Sequence, residues 1–259
     1  MDESEVPRGR PFLTARWSNV ILANFATPPE LLRPHLPAGL ELDQHDGRTW
    51  ASLVAFDFFE ARTLGIPWPG YRNFPEVNLR FYVRHGQQRG VVFVREFVPL
   101  RLVAYLARLI YREPYAAVRM SSLVTDAPES VTIEHRLSLG GREHSIRATG
   151  SKPPQRPDAD SLEHFFKEHR WGYGRSRRDQ TMRYEVRHPL WQTYPVREFA
   201  LDVDWGVLYG KEWSQMNGIK PDSVVIAVGS PVLVFPRGQL PEPAEPRLLH
   251  RPLVRPMPG

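Results

Sequence analysis

Alternation of apolar and polar residues is the strongest pattern in this chain, and it is clearest over residues 76–84. Val77, Leu79, Phe81 and Val83 occupy one set of alternate positions. The intervening positions hold Glu76, Asn78, Arg80, Tyr82 and Arg84. Because side chains of a β-strand point to opposite faces in turn, this segment predicts a strand with one apolar face and one polar face.

A second strand is predicted at residues 91–98, which follow a turn that contains glycine. This segment is apolar at every position except Arg95 and Glu96. An apolar sequence on both faces is typical of a strand that is covered on both sides.

A β-hairpin is predicted where residues 131–139 run into Gly140-Gly141 and residues 142–149 return. Two consecutive glycines suit the tight primed turns that join antiparallel strands. The register set by this turn places Glu134 opposite Arg147, where opposite charges stabilise a strand pair slightly. Further strands are predicted at residues 49–59, 117–125, 182–188 and 223–228.

Few segments have helical periodicity. A short helix is predicted at 29–35, and one at 160–169 is capped by Asp160 or Ser161. The best helix is 101–112, with apolar residues three and four apart and with Arg101, Arg108 and Arg112 as its polar stripe. Many short strands with one good helix favour a mainly β (α+β) domain, built as a barrel or as two packed sheets.

The chain has 259 residues, a length at which all-β barrels often form one domain. We expect a flexible N-terminus at 1–11, a single domain at 12–236, and an extended proline-rich tail at 237–259. The first residues lack the apolar core of a signal peptide, and the longest apolar run, 223–235, is too short and too interrupted to span a bilayer. The sequence therefore predicts a cytoplasmic protein with no membrane partner.

Composition excludes several classes of chemistry. The absence of cysteine rules out disulfides, thiolate metal sites and a cysteine nucleophile. The net charge is +5, but only four of the 34 basic residues are lysines and the arginines are spread along the chain. Nucleic-acid binders usually concentrate positive charge on one face, so this distribution disfavours nucleic acid as a partner. A homo-oligomer is compatible with the sequence, which does not predict the oligomeric state.

Motifs for common enzyme classes are missing. There is no G-x-S-x-G turn for a serine nucleophile and no glycine-rich phosphate loop. His164 and His169 are five residues apart, about 140° around a helix, so they cannot share a metal ion. His135 and His144 are expected to be buried, hydrogen-bonded core residues. We expect neither a metal nor a cofactor.

The polar face of residues 76–82 is the candidate site. In an open sheet it would face solvent, whereas in a barrel it would look inward and line a cavity. Arg80 suits a carboxylate ligand, and Glu76 could act as a general acid or base if burial raises its pKa. Asn78 lies between them, and further candidates for the same wall are Arg95, Tyr115 and Arg119.

Several longer segments resemble the uncharacterised YqjF-like family, DUF2071. They are "FATPPELLRPHLPAGLELDQHDGRTWASLVAF", "PEVNLRFYVR", "GVVFVREF", "RLVAYLARLIYREPYAAVRM" and "RHPLWQTYP". The resemblance covers residues 12–236, nearly the whole chain. It implies a fold related to that of acetoacetate decarboxylase: an antiparallel β-barrel or cone with a central pocket and one or two peripheral helices.

The resemblance also implies a loss of chemistry. In the decarboxylase, one of two adjacent lysines forms a Schiff base near a glutamate. At the corresponding turn this sequence has Tyr115 and Ala116 in place of both lysines, while Glu76 is a counterpart of the glutamate. A Schiff base needs an amine, so decarboxylation of that kind is expected to be absent unless Lys152, Lys167, Lys211 or Lys220 reaches the pocket.

Three functions follow as hypotheses. The leading one is an internal pocket that binds a small, carboxylate-bearing molecule. The second is a lyase-type or hydrolase-type enzyme that uses Glu76 as acid or base on such a molecule. The third is a non-enzymatic structural or nucleic-acid-associated protein whose barrel is filled by side chains.

Overall fold

Long β-strands form the framework of the protein. A computed structural model describes residues 9–110, 114–157, 165–166, 169–176 and 180–240. In chain order, strands β1 to β16 are Leu13–Ala26, Glu41–Leu42, Gln44–His45, Arg48–Thr63, Phe74–His85, Gln88–Val98, Tyr115–Ala117, Arg119–Asp126, Ser130–Leu139, Arg142–Ser151, Trp171–Arg175, Thr181–Arg187, Thr193–Tyr194, Val196–Asp202, Ser223–Val234 and Gly238–Gln239. Helices α1 to α3 are Pro29–Leu32, Arg101–Ile110 and Trp205–Tyr209, and two 3-10 helices span Arg33–His35 and Lys211–Met216.

The larger sheet closes on itself. Its strands follow the order β15, β1, β4, β5, β6, β11, β12, and β12 pairs with β15 again, with Val186 opposite Val234. Neighbours in this ring are antiparallel except β6 and β11. The mainly β, cone-like architecture predicted for the chain is confirmed. Closure gives every strand of the ring an inner and an outer face.

A smaller sheet, in the order β14, β10, β9, β8, packs against the outside of the ring. The core between them joins Val77, Leu79 and Phe81 of β5 to Ile133 of β9 and Trp205 of α3. All of these side chains are at most 1% exposed. The apolar row predicted at residues 77–83 is therefore the outer, packed face of β5.

The predicted hairpin has the predicted register. Leu139 pairs with Arg142 and Glu134 pairs with Arg147. The ion pair of Glu134, however, is with Arg136 on the same strand, at 2.9 Å.

Buried histidines behave as the sequence indicates. His135 is fully buried, and its Nε2 lies 3.0 Å from the carbonyl oxygen of Asn19. His144 is also fully buried, and its Nδ1 accepts a hydrogen bond from the backbone N–H of Asp204. The described residues contain no group of three metal-ligating side chains.

Strand β1 is not among the predicted strands, although it pairs along its length with β4 and β15 in the ring. In its second half, residues 20–26 are apolar except Asn24 because this part is covered inside and out, so it lacks the alternation that marks β5. Asn19 interrupts it with a positive φ of 55°, and the pairing with β4 shifts register between Ser18 and Ile21. The strands β11, β13 and β14 and the helix α3 were missed as well.

Other boundaries differ in detail. The predicted strand at 117–125 is split in two at Val118, and the predicted strand at 223–228 continues to Val234. Residues 111–112 of the predicted helix lie outside the described residues. So does most of the predicted helix at 160–169, of which Phe165 and Phe166 are described and are helical. At the start of the tail, Gly238–Gln239 pairs with β12. Across the described segments, the helices are all too short or too polar to cross a membrane.

Gly229 is a position where the fold requires glycine. Its φ is +84°, and a Cβ atom there would lie 2.1 Å from the carbonyl oxygen of Trp17 on the paired strand β1. Replacing Gly229 therefore adds a backbone clash to the strain of a positive φ.

We expect Gly229→Ala to lower the free energy of unfolding by roughly 2–4 kcal/mol, measured by urea denaturation. Gly218→Ala is the matched control, because Gly218 has a φ of +78° but open space around it. The control should lose only about 1–2 kcal/mol. Equal losses in the two variants would show that the close approach of β1 and β15 does not constrain this position.

Candidate ligand-binding cavity

The inside of the ring contains a cavity of about 360 Å³. This volume falls within the range of about 300–1,000 Å³ that is usual for small-molecule sites. Every strand of the ring contributes to its lining, and α2 lies against it. Its walls are mainly aromatic and aliphatic and include Trp17, Val54, Phe56, Phe58, Phe74, Phe93, Trp171 and Trp191.

Polar groups enter this apolar space from alternate positions of β5. Glu76, Asn78 and Arg80 all line the cavity, as the inward-facing alternative in the sequence analysis requires. The Nδ2 of Asn78 donates to Oε1 of Glu76 at 2.8 Å. Tyr115, at the start of β7, donates its hydroxyl to Oε2 of Glu76 at 3.0 Å. Both carboxyl oxygens of Glu76 thus have a fixed partner.

The carboxyl group of Glu76 titrates close to neutrality. Burial raises its pKa to about 7, against the opposing effects of the hydrogen bonds from Asn78 and Tyr115 and of the charge of Arg80. Burial also raises the pKa of the Tyr115 hydroxyl well above its usual value, and the charges of Glu76 and Glu96 act in the same direction. Tyr115 is therefore a neutral donor, while Glu76 can hold or release a proton near pH 7.

A β-bulge decides which charged residue of β6 enters the cavity. Next to the turn, β5 and β6 pair in one register, with Arg80 opposite Phe93. The register then shifts, so that Leu79 pairs with Arg95 and Asn78 pairs with Glu96. Val94 is the extra residue. An extra residue in one strand turns all later side chains to the other face, which brings Glu96 inward and Arg95 outward.

Arg95 is therefore not on the cavity wall, contrary to the sequence expectation. Its Nη1 donates to the carbonyl oxygen of Leu208 at the end of α3, at 2.8 Å, on the outer side of the ring. Arg119 is also elsewhere: it is exposed on β8 in the smaller sheet, opposite Ser138. Glu96 takes the inward place and is 2% exposed.

Arg80 has unused hydrogen-bonding capacity. Its Nη2 donates to the carbonyl oxygen of Phe166 at 3.3 Å, and its guanidinium carbon lies 5.9 Å from the ring centre of Tyr82. Its Nε is buried and has no hydrogen-bond partner among the described residues. A buried donor without a partner costs about 1–3 kcal/mol.

The rest of the polar row on β5 lies beyond the cavity. Tyr82 is buried, and its hydroxyl lies 2.5 Å from Oγ of Ser52. Arg84 is exposed at the end of the strand and forms a 2.7 Å ion pair with Glu41. Along the polar face predicted over residues 76–84, the first side chains thus line the cavity, Tyr82 is buried beside Ser52, and Arg84 lies in solvent.

His169, whose spacing from His164 excludes a shared metal ion, also lines the cavity. The side chain of His169 is 2% exposed, and its Nε2 lies 3.3 Å from Oδ2 of Asp43. Asp43 in turn accepts a 2.7 Å bond from Nε of Arg89. Burial opposes the ionisation of Asp43, but the hydrogen bonds from His169 and Arg89 outweigh it and lower the pKa of Asp43.

His169 is neutral and oriented. Burial lowers its pKa, although Asp43 opposes that effect. Because Nε2 faces a carboxylate, Nε2 carries the proton and Nδ1 is left as an acceptor. Nδ1 is buried without a partner in the part of the chain that the structure describes. Only the three-dimensional approach of Asp43 identifies this pair, since 126 positions separate the two residues in the chain.

The lysines within the described residues lie away from the cavity. Lys152 forms an ion pair with Asp126, and Lys211 and Lys220 are exposed. Lys167 lies outside the described residues.

Comparisons with solved structures identify the architecture. An acetoacetate decarboxylase-like enzyme from Sphingomonas wittichii RW1 has a TM-score of 0.58 at 14% identity, with 90% of this chain and 94% of that chain covered. Acetoacetate decarboxylase from Legionella pneumophila gives 0.58 at 15% identity, with 93% of each chain covered. The enduracididine biosynthesis enzyme MppR, complexed with pyruvate, gives 0.62 at 11% identity, with 91% and 93% covered. At these identities the comparison establishes the fold.

Sequence comparison identifies the family. The uncharacterized protein YqjF of Bacillus subtilis (strain 168) is 34% identical over 118 residues, which are 45% of this chain. The match spans about half of that relative, 49% of its length. The model of the DUF2071 family, described as an uncharacterized conserved protein, matches residues 14–231. Since that match covers most of the chain and nearly all of the ring, the protein belongs to the DUF2071 family.

Proposed function

We propose that the cavity binds a small amphipathic carboxylic acid. The observation that carries this proposal is the guanidinium group of Arg80, which lines a mainly apolar cavity and whose buried Nε–H has no partner among the described residues. A guanidinium group pairs with a carboxylate through two parallel hydrogen bonds, and Nε is one of the donors that can form them.

The walls of the cavity suit the rest of such a ligand. Aromatic rings from β1, β4 and β5 surround the polar cluster, so an aliphatic or aromatic body would bury its surface against them. Burial of apolar area contributes roughly 25 cal/mol per Å², while the few polar groups fix the orientation of the ligand.

The carboxyl group of Glu76 favours binding of the anion at lower pH. Glu76 has a pKa of about 7, so below that pH it is largely protonated and can donate a hydrogen bond to a carboxylate. Above it, the negative charge would repel the ligand. Glu96 is buried beside Tyr115, close to Glu76. A second negative charge on Glu76 would therefore make the cavity still less favourable for an anion.

One comparison structure supports a small-acid ligand, whereas the residues of this chain disfavour decarboxylase chemistry. MppR binds pyruvate in a protein of this fold. Schiff-base formation needs an amine, and the family resemblance implies that Tyr115 and Ala116 occupy the positions of the decarboxylase lysines. The described lysines lie away from the cavity. We therefore propose binding without imine formation.

The first test removes the proposed anion contact. We expect Arg80→Gln to weaken binding of monocarboxylic and 2-keto acids by about tenfold or more, because a charge-assisted hydrogen bond to a ligand is worth about 1.5–3 kcal/mol. Binding is measured by calorimetry and by the ligand-induced rise in Tm across acids of increasing chain length.

Arg84→Gln is the matched control for that experiment. Arg84 lies on the same face of the same strand, but it is exposed and ion-paired with Glu41, outside the cavity. The control should bind like the unmodified protein. If Arg80→Gln also binds like the unmodified protein, or if no acid binds to the unmodified protein, the proposed function is wrong.

The second test uses the proton on Glu76. Binding of a carboxylate should weaken as the pH rises through about 7 and should approach a tenfold loss per pH unit above it. In Glu76→Gln the amide stays neutral and can still donate, so its Kd should not change with pH over the same range. Calorimetric titrations from below to above neutrality test this directly, and an unchanged pH dependence in the variant would exclude Glu76 as its source.

The pH dependence of folding stability reports the pKa of Glu76 independently of ligand binding. Since the folded protein holds the Glu76 proton up to about pH 7 while the ordinary value is 4.5, the stability that this proton contributes is lost as the pH rises between those values. Glu76→Gln should therefore gain stability relative to the unmodified protein over that window, by at most roughly 3 kcal/mol.

A second candidate function, acid–base catalysis on such an acid, is favoured by the geometry around Glu76. A base works best when its pKa lies near the working pH, and the pKa of Glu76 meets that condition. His169, oriented by Asp43, offers an additional acceptor in the same cavity. In a 2-keto acid held by Arg80, the carboxylate of Glu76 would take a proton from the carbon beside the carbonyl and return it.

Exchange of that proton for deuterium separates an enzyme from a binding protein. If Glu76 is a base, proton NMR in deuterated water should show loss of the signal next to the carbonyl of a bound 2-keto acid, and Glu76→Gln should slow this at least a hundredfold. Borohydride added during exchange should leave the protein mass unchanged. A covalent adduct would instead indicate an imine and would contradict the proposed amine-free site.

A further inference from the structure

Exposed apolar side chains are concentrated in two segments that border the cavity. Within the described residues, thirteen large apolar side chains are strongly exposed, and seven of them lie in two segments, the β4–β5 loop and α2. We call these seven the apolar rim: Leu64, Ile66, Trp68, Leu102, Tyr105, Leu106 and Leu109. Both segments border the same cavity, because Trp68, Leu102 and Leu106 also line it.

Helix α2 exposes most of its large apolar residues to solvent. Among the side chains of α2 that the structure describes, Ala104 is buried and Val103 and Ala107 are half-buried beside it, so this part of the helix packs through small side chains. At about 100° per residue, Tyr105, Leu109 and Leu102 fall together on the opposite side. Tyr105 is 63% exposed and Leu109 is 47% exposed. An ordinary surface helix has the reverse arrangement, with its apolar stripe toward the core.

Positive charge surrounds the apolar rim. Arg101 and Arg108 are exposed along one edge of the outward face of α2, and Arg62 and Arg72 are exposed at the ends of the β4–β5 loop. The stretches 61–73 and 97–110 contain no aspartate or glutamate. Glu60, which is exposed, immediately precedes the first stretch, and Glu96, which is buried, immediately precedes the second.

We propose that the apolar rim docks on the surface of an anionic lipid bilayer. Exposed Trp and Tyr beside Leu and Ile suit the boundary between lipid headgroups and acyl chains, and arginines flanking an apolar helix face suit anionic headgroups. Docking is peripheral: the side chains of the rim enter the interface, and the ring stays outside it.

Charge favours a bilayer over a second copy of the chain. A two-fold symmetric contact through the same face would bring the exposed arginines of each copy toward those of the other, with few acids to compensate. An anionic surface supplies the complementary charge and accepts apolar side chains at the same time.

The position of the rim also bears on the ligand, and this consequence rests on the proposed function. Trp68, Leu102 and Leu106 belong both to the rim and to the cavity lining. A docked protein would thus open its cavity toward the lipid, so that an amphipathic acid dissolved in the bilayer could enter without crossing water. Docking itself does not depend on what the cavity holds.

The experiment is sedimentation of the full chain with phosphatidylcholine vesicles that contain or lack phosphatidylserine. We expect binding to the vesicles that contain phosphatidylserine, weakened by added salt. Tyr105→Ser combined with Leu109→Ser should reduce binding at least tenfold, since both side chains would insert. Neither residue lines the cavity, so binding of carboxylic acids should be unchanged, which separates this proposal from the proposed function.

Two further variants complete the test. Leu123→Ser combined with Ile219→Ser removes equally exposed apolar side chains elsewhere and should leave vesicle binding unchanged. Arg101→Ala combined with Arg108→Ala should weaken binding about fivefold per arginine and should reduce its salt dependence. This arginine variant keeps the test valid if the Tyr105 and Leu109 substitutions lower the Tm.

Several results would overturn the proposal. They are no sedimentation of the unmodified protein with anionic vesicles, binding that is indifferent to salt, or equal losses in the rim variant and in the Leu123 and Ile219 control. Concentration-dependent self-association that the rim substitutions abolish, without vesicle binding, would assign the rim to a second copy of the chain instead.

Discussion

Closure of the larger sheet is the constraint on which the rest of the structure depends. The pairing of β12 with β15, with Val186 opposite Val234, turns an open sheet into a ring. In an open sheet the polar row of β5 would face water. Inside a ring the same row must face the other strands, so Glu76 and Asn78 are buried and the carboxyl group of Glu76 titrates near neutrality. The site is a consequence of topology acting on an ordinary alternating strand.

Two irregularities then define the chemistry of the cavity. The bulge at Val94 exchanges Arg95 for Glu96 on the inner face of β6, so the described part of the lining has one arginine and two glutamates rather than a predominance of positive charge. The approach of Asp43 to His169 fixes an imidazole at the edge of the same space. Together they place carboxyl groups, a guanidinium group and an imidazole in one mainly apolar space.

The surface that borders the cavity is apolar and positively charged, unlike the polar cluster inside the cavity. The small residues Ala104 and Ala107 let α2 lie close to the ring, which leaves Tyr105 and Leu109 pointing outward beside Arg101 and Arg108. Large exposed apolar patches generally mark interaction sites in folded proteins. Polar chemistry inside the ring and an apolar, positively charged rim outside it are compatible with a ligand that is itself amphipathic.

The sequence by itself determined the alternation of β5, the register of the β9–β10 hairpin, the start of α2 at Arg101 and the lack of a nucleophilic cysteine, because each depends on local periodicity or composition. The tertiary structure alone decided the rest. It closed the ring, turned Glu96 in and Arg95 out, joined His169 to Asp43, and exposed the apolar face of α2. These depend on contacts between distant segments, and periodicity within one segment carries no information about which neighbour covers each face.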